Sequence, residues 1–423
     1  MKIVWHCADQ VGADMAGPGI RAVELCRRLA RRHQVTLVAL RGASLEGEPF
    51  RALDYSEATV RAALADADAF VAQGFGFPLR SALTFRGRLV LDLYDPVQLE
   101  QLARFGPHPG SEERISLAHV RARLRLLLAR ADHLLCASPA QRFWWLGWLG
   151  ALGRLTPEAL ARDPEGRALV AIAPFGTPDV PPVRAGTPLR DAIGAVAGDE
   201  VALFWGGLWD WMDPSLAVRA LALLSEKRPR LRLAFIAGTR PGPGDMRGAA
   251  ERARATAVEL GVAHRAVFLD RWIPYADRGA WLLDADVAVT AHRPSLETEL
   301  AFRTRLLDCL WAALPVASTR GDVLAAEAER EGFGACADPG DAEGLARALD
   351  SLLEPEGNAR AREAARRVAR RYRWEASADA VMALLEEPAP RRPPFAVPGE
   401  VAGGDALGLT RAVAEKLLAR LRR

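Results

Sequence analysis

The sequence predicts an α/β protein built from two Rossmann-like, doubly wound, parallel-sheet domains that face a cleft. Short apolar runs of strand length alternate with amphipathic helical runs, as in βαβ units, and the alternation starts afresh in the second half. The carboxyl ends of those runs turn polar or glycine-rich, as ligand-facing strand ends do in open α/β sheets. Between the halves, residues 177–188 carry Pro178, Pro181, Pro182 and Pro188 with no periodicity, which marks a boundary. A chain of 423 residues, 50% hydrophobic, is too long for one comfortable core and long enough for two.

In the first half, residues 2–8 read as a buried strand that enters a polar loop over 9–19. A helix begins near Ile20, with apolar Val23, Leu25, Cys26, Leu29 and Ala30, and a strand over 34–40 completes the βαβ unit. Gly17 and Gly19 flank Pro18 at the helix start, where a residue without Cβ lets a ligand approach the backbone. The spacing is not G-x-G-x-x-G, so a dinucleotide fingerprint is absent. Strands over 69–72 and 88–93 end in Gly74-Phe75-Gly76 and Tyr94-Asp95-Pro96. An arginine-rich helix over 111–130 and a strand over 133–137 follow. Ser138 and Pro139 then open a helix carrying Phe143, Trp144, Trp145 and Trp148. Core packing explains those aromatics; an acceptor or membrane surface would also use them. A strand over 168–173 closes on Pro174-Phe175-Gly176.

The second half repeats the pattern. A strand over 201–205 runs into the loop 206–213, and Asp213 caps a helix reaching 226. Next come a strand over 231–238, a loop over 239–245 and a helix to 260. A strand over 266–269 leads through Arg271 and Trp272 to a helix over 275–283. The strand over 286–290 opens the stretch on which the chain turns: a polar loop, a helix over 304–313 and a strand over 315–319. A helix start beyond a strand's carboxyl end favours an anion, yet Arg303 and Arg305 stand there. Cations at that end cost roughly 0.3–1 kcal/mol each unless a third, negative party such as a diphosphate joins them. Asp308 either pairs with Arg305 on the helix surface, three residues away, or accepts hydrogen bonds from a pair of sugar hydroxyls. A helix over 322–331, a strand over 334–337, a helix over 341–353 and a long helix over 358–387, bent around 372–374, complete the half.

The expected domains are 1–180 and 181–387, then a Pro/Gly-rich linker over 388–404 and a basic amphipathic helix over 405–423. That helix either packs back, pairs with another chain in a homo-oligomer, or lies on a membrane surface. A formal net charge of +3 gives no polyanion signature, so no nucleic-acid partner is expected. Five widely spaced cysteines read as free thiols in a reducing compartment. No apolar run reaches membrane-spanning length, and the expected location is the cytoplasm, with peripheral contact at the inner face of the membrane left open. No metal site is expected. The triplets Asp66-Ala67-Asp68 and Asp284-Ala285-Asp286 precede strands at the end away from the cleft, and no histidine pair has ligand spacing. His6 and His292 lie at or beside strand ends that face the cleft.

These features resemble a GT-B glycosyltransferase, most similar to glycosyltransferase family 4 and to a divergent bacterial subgroup of it, over roughly residues 1–385. The carriers are Gly17-Pro18-Gly19-Ile20-Arg21, Pro174-Phe175-Gly176, Trp205-Gly206-Gly207, Asp286-Val287-Ala288-Val289, and residues 308–316 followed by Gly321-Asp322. The resemblance implies retaining, metal-independent transfer of a sugar from a nucleotide-diphosphate donor to a glycan, lipid-linked or small-molecule acceptor, with no cofactor beyond the donor. The family motif has two glutamates eight positions apart, the second seven before a proline. Pro315 puts Asp308 at the second place, as a ribose contact, and Leu300 at the first, with Glu297 or Glu299 standing in from a shifted loop.

The family's arginine and lysine are missing from the loop 206–213, so Arg303 and Arg305 are the candidates for the diphosphate charge. With Tyr94 and Asp95, near the family's sugar-side histidine, they make up the implied catalytic set. The implied donor contacts are Gly17, Gly19, Gly206, Gly207, Arg271, Trp272, His292, Glu297, Glu299, Leu300, Phe302, Thr304 and Asp308. Charge stabilisation on the leaving group is the larger share of such catalysis. Two other readings stand beside this one: a catalytically silent nucleotide-sugar-binding subunit, suggested by the altered motif, and a sugar-nucleotide epimerase on the same fold.

Overall fold

The computed structural model describes residues 1–74, 76–238 and 248–387. The linker over 388–404, the basic helix over 405–423 with its oligomer and membrane readings, and the loop over 239–245 lie outside the described residues. The chain forms two compact units. Among the described residues, one holds Met1–Gly12, Ala16–Pro174 and 375–387; the other holds Ala13–Met15 and Phe175–Trp374.

The sheet of the first unit has seven parallel strands: β1 (Lys2–Gln10), β2 (Gln34–Leu40), β3 (Arg51–Asp54), β4 (Ala69–Gln73), β5 (Arg88–Asp92), β6 (His133–Cys136) and β7 (Val170–Ile172). Their order is β3-β2-β1-β4-β5-β6-β7, so the winding reverses between β1 and β4. A parallel sheet is covered on both faces, which is why these strands are nearly unbroken apolar runs; all of β4 is buried. β3 was not foreseen, because at four half-exposed or exposed residues it has no apolar run to detect. Ser138 caps the helix Pro139–Ala151 by accepting from the Gln141 N–H at 3.2 Å. Of its aromatics, Trp145 is buried, its Nε1 donating to the Leu93 carbonyl at 3.1 Å, whereas Phe143 is 69% exposed.

The second unit has six parallel strands: β8 (Glu200–Phe204), β9 (Leu231–Ile236), β10 (Ala266–Leu269), β11 (Val287–Thr290), β12 (Val316–Thr319) and β13 (Gly334–Ala337). The order β10-β9-β8-β11-β12-β13 reverses between β8 and β11. Phe204, Phe235 and Phe268 stack across the sheet, with centroids 5.4 and 4.4 Å apart, and anchor its core. The helix expected over 304–313 spans Thr304–Trp311, and a short helix the sequence did not announce, Leu296–Leu300, precedes it.

The long helix expected over 358–387 is two helices, Pro355–Ala369 and Trp374–Glu386, split where Arg373 forms a β-bridge with Thr177. The second of them joins the first unit, so the second unit ends at Trp374 rather than 387. Polar ties account for this. Arg28 and Arg31 reach the Glu375 carboxylate at 3.2 and 3.1 Å, Ser377 donates to the Pro174 carbonyl at 2.5 Å, and Arg88 donates to the Leu384 carbonyl at 3.0 Å.

The acidic triplets are turns. Lys2 pairs with Asp66 at 2.5 Å, and Arg190 with Asp286 at 2.7 Å. Among the described residues no three His, Cys, Asp or Glu side chains are grouped as a metal would require, and no helix is long and apolar enough to cross a membrane.

Candidate functional site

In the second unit the reversal of strand order parts the loops that follow β8 and β11, and ligands of open α/β sheets settle in such a crevice. Most of the residues singled out from the sequence gather here. The loop after β8 opens with Gly206, whose φ of +83° suits glycine, and Gly207. A Cβ on Gly207 would meet Trp209 at 3.5 Å and Trp272 at 3.7 Å, so two indoles converge over a residue without a side chain. Trp272 is half-buried with its Nε1 unpartnered, and Arg271 is exposed.

The two arginines at the start of the helix Thr304–Trp311 have opposite surroundings. Arg303, the residue before the helix, turns inward with 2% of its side chain exposed. Its Nε lies 2.7 Å from Oδ2 of Asp322, itself sealed, though out of line for a hydrogen bond. Its Nη1 donates to the Thr319 carbonyl at 3.1 Å. Asp322 in turn caps the helix Val323–Glu331, its Oδ1 accepting from Leu324 and Ala325 at 2.9 and 3.1 Å. Arg303 therefore ties two helices to the end of β12. Arg303, expected to face a diphosphate, stands beside Asp322, the buried anion that a buried cation needs.

Arg305 is half-buried and forms no ion pair among the described residues. Its Nη1 donates to the Trp205 carbonyl at 3.0 Å and lies 3.4 Å from the Met212 sulfur. A Cβ on Gly206 would lie 3.5 Å from its guanidinium carbon. Burial, then the Arg303 charge, lower its pKa to about 10, so it stays cationic at neutral pH.

His292 is buried. Its backbone N–H donates to the Thr319 hydroxyl at 3.0 Å and its ring Nδ1 is unpartnered. Burial first, then Arg303 and Arg305, hold its pKa well below the ordinary value, so the ring is neutral. Of the proposed stand-ins for the first family glutamate, Glu297 is buried, its pKa raised by burial against the pull of Arg303, whereas Glu299 is exposed. Leu300 is half-buried. Phe302 is buried, its ring 6.2 Å from that of Tyr372, and Thr304 begins the helix half-buried.

Asp308 does not pair with Arg305. Its Oδ2 accepts from Trp205 Nε1 at 3.0 Å and its Oδ1 from Arg278 Nε at 3.1 Å. The Arg278 guanidinium in turn lies 3.7 Å from the Tyr275 ring centroid and 4.6 Å from that of Trp311. Arg278, Trp205 and Asp322 were missed as supports of the site. For Asp322 the signal was present, an aspartate just before a helical run; for Arg278 nothing in the sequence marks a partner so far along the chain.

The other residues of the implied catalytic set stand in the first unit. Tyr94 is buried beneath Arg21, whose guanidinium carbon lies 4.9 Å from its ring centroid. Burial, then Asp95, raise its pKa well above the ordinary range, so the phenol stays protonated. Asp95 is half-buried beside it. Arg21 itself is fully buried and grips Asp92, Nε to Oδ2 at 2.8 Å and Nη2 to Oδ1 at 2.9 Å. Gly17 and Gly19 lie in the first turn of the helix Gly17–Leu29.

Residues 199–355 match the family model described as Glycosyl transferases group 1, a stretch that contains all six strands of the second sheet and both arginines. No curated protein matches the chain in sequence. Among solved structures it is similar to a sucrose-phosphate synthase from Thermosynechococcus elongatus, with a TM-score of 0.66 at 17% identity, over 91% of this chain and 98% of that one. Anabaena Alr3699/HepE in complex with UDP-glucose gives 0.66 at 17% identity, over 91% of this chain and 99% of that one. WaaG, a glycosyltransferase involved in lipopolysaccharide biosynthesis, gives 0.62 at 17% identity, over 91% and 100%. The two parallel-sheet α/β units and these likenesses give the fold as GT-B.

Proposed function

We propose that the chain is a glycosyltransferase that moves a sugar from a nucleotide-diphosphate donor to a glycan, lipid-linked or small-molecule acceptor, with retention of configuration and without a metal. The observation that carries this is Arg305. It is a half-buried guanidinium without a carboxylate partner among the described residues, beside the open backbone of Gly206 at the switch point, inside the stretch that matches the family model. A guanidinium so placed supplies forked hydrogen bonds to a diphosphate and holds charge where the leaving group develops it. Asp308 is 25% exposed, which leaves its carboxylate an open edge for a ribose hydroxyl while Trp205 and Arg278 fix its position.

A similar fold binds UDP-glucose in the Anabaena protein, so uridine diphosphate sugars are the first donors to try. The test is turnover: the protein is incubated with UDP-glucose and an acceptor panel in the presence of EDTA, and transferred sugar is read by mass spectrometry and its anomeric configuration by NMR. Transfer with retained configuration supports the reading; inverted product or a chelator-sensitive rate overturns the mechanism. The silent-subunit reading is favoured by Arg303, whose charge is spent on Asp322. It predicts donor binding without turnover across the whole panel.

A further inference from the structure

We infer that the groove between the helices Glu57–Leu64 and Leu79–Thr84 of the first unit binds a lipid phosphate, one phosphate on a hydrocarbon chain. The inference stands apart from the transferase reading, since no residue of the implied catalytic set and none of the donor contacts lines the groove. The two helices follow β3 and β4 and are thinly docked: only Val60 and Leu64 of the first are buried, and only Ala82 of the second. Several side chains between them are short, Ala65, Ser81 and Thr84 among them, and a cavity of about 660 Å³ stays open. Small-molecule sites span about 300–1,000 Å³.

The walls combine apolar and cationic groups. Leu64 and Phe85 are buried and Leu79 is half-buried. Arg61 stands on one helix, Arg80 on the other and Arg86 just past its end, all three exposed. Arg61 and Arg80 form no ion pair among the described residues, and Glu57, the one acid lining the groove, pairs with neither. Another face of the helix Glu57–Leu64 borders a second cavity, of about 790 Å³, where charge is mostly spent. There Lys2 pairs with Asp66 at 2.5 Å and Glu48 with Arg27 at 2.6 Å, so Arg51 alone of the charged lining residues is left over. Forks from two helices call for an anion with more than two oxygens, because a carboxylate fills one fork and a phosphate offers oxygens to two. A bare phosphate would leave the apolar wall wet; a hydrocarbon chain laid over Leu64, Leu79 and Phe85 removes that surface from water. An extended polyanion would need a basic surface beyond the groove, which a net charge of +3 does not supply.

The experiment uses the full chain with Arg61→Gln, Arg80→Gln and both together; Arg51→Gln, in the other cavity, is the control. The probe is dodecyl phosphate below its micelle concentration, with dodecyl maltoside, inorganic phosphate and phosphoserine beside it, all followed by calorimetry. Dodecyl phosphate should bind the wild type and Arg51→Gln alike. Each single variant should weaken it about tenfold, the loss of one charged hydrogen bond, and the double variant further. The substituted arginines are exposed, so every variant should melt with the wild type. The inference is overturned if dodecyl phosphate fails to bind the wild type or binds the double variant equally well. Equal affinity for the maltoside would remove the need for an anion, and equal affinity for phosphate or phosphoserine the need for a chain; either overturns it. So would sedimentation of the chain with phosphatidylglycerol vesicles, undiminished in the double variant, which would trace the binding to general membrane charge rather than to this groove.

Discussion

The carboxyl ends of the two sheets are built alike and charged differently. In the first unit the buried arginine at the switch point, Arg21, is matched fork to fork by Asp92, and both side chains are fully sealed. In the second, Arg303 is matched by Asp322, but Arg305, two residues on, has only carbonyl and thioether contacts among the described residues. A paired buried charge fixes geometry and spends its charge internally. An unpaired, half-buried one keeps its charge available to a ligand. Under the proposed function the positive end of the second sheet is the donor-phosphate side.

The largest effect should come from breaking the matched pairs. Asp92→Asn or Arg21→Met strands a buried charge or its partner, at a cost of about 3–5 kcal/mol, read as a large drop in the denaturation midpoint. Asp322→Ala should cost about as much, because it strands the Arg303 charge and also removes the cap of the helix Val323–Glu331. Next in size, Arg305→Ala should barely move the melting temperature but weaken nucleoside diphosphate binding by about 1.5–3 kcal/mol, the range for a hydrogen bond to a charged group. Calorimetry beside a melting curve separates the two kinds of arginine.

Acid supplies a graded contrast. Burial lowers the pKa of His6 to about 4 from 6.5. Its neutral form is common to both states above pH 6.5. Below that the unfolded chain takes up the proton first, so stability falls as pH drops towards 4, by about 3 kcal/mol at most. His6→Phe should flatten that slope in urea titrations between pH 6.5 and 4. The smallest effect belongs to Glu299, which is exposed: Glu299→Gln should leave stability within about 0.5 kcal/mol and donor binding unchanged, whereas the same change at the buried Glu297 should disturb both.

Much of this was legible in the chain because strand and helix periods are local properties. The βαβ alternation, the cap at Ser138 and the turns at Asp66-Ala67-Asp68 are written in neighbouring residues. β3 was not, being too short and too exposed to show an apolar run. The site was half legible. The placing of Gly206 and His292 at strand ends and of Arg305 at a helix start follows from the pattern, but the inward turn of Arg303 depends on Asp322, and the fate of Asp308 on Arg278 and Trp205. Those partners are set by tertiary approach. Spacing alone suggested Arg305 for Asp308, and packing chose otherwise.

The most direct test of the central claim is calorimetric titration of UDP and GDP into the wild type, Arg305→Ala and the buried-pair variant Arg303→Met, each verified as folded. The account predicts that one nucleotide binds the wild type, that Arg305→Ala weakens it at least tenfold, and that Arg303→Met, where it folds, loses stability far more than affinity. Unchanged affinity in Arg305→Ala, or loss of binding in a fully stable Arg303→Met, would contradict it.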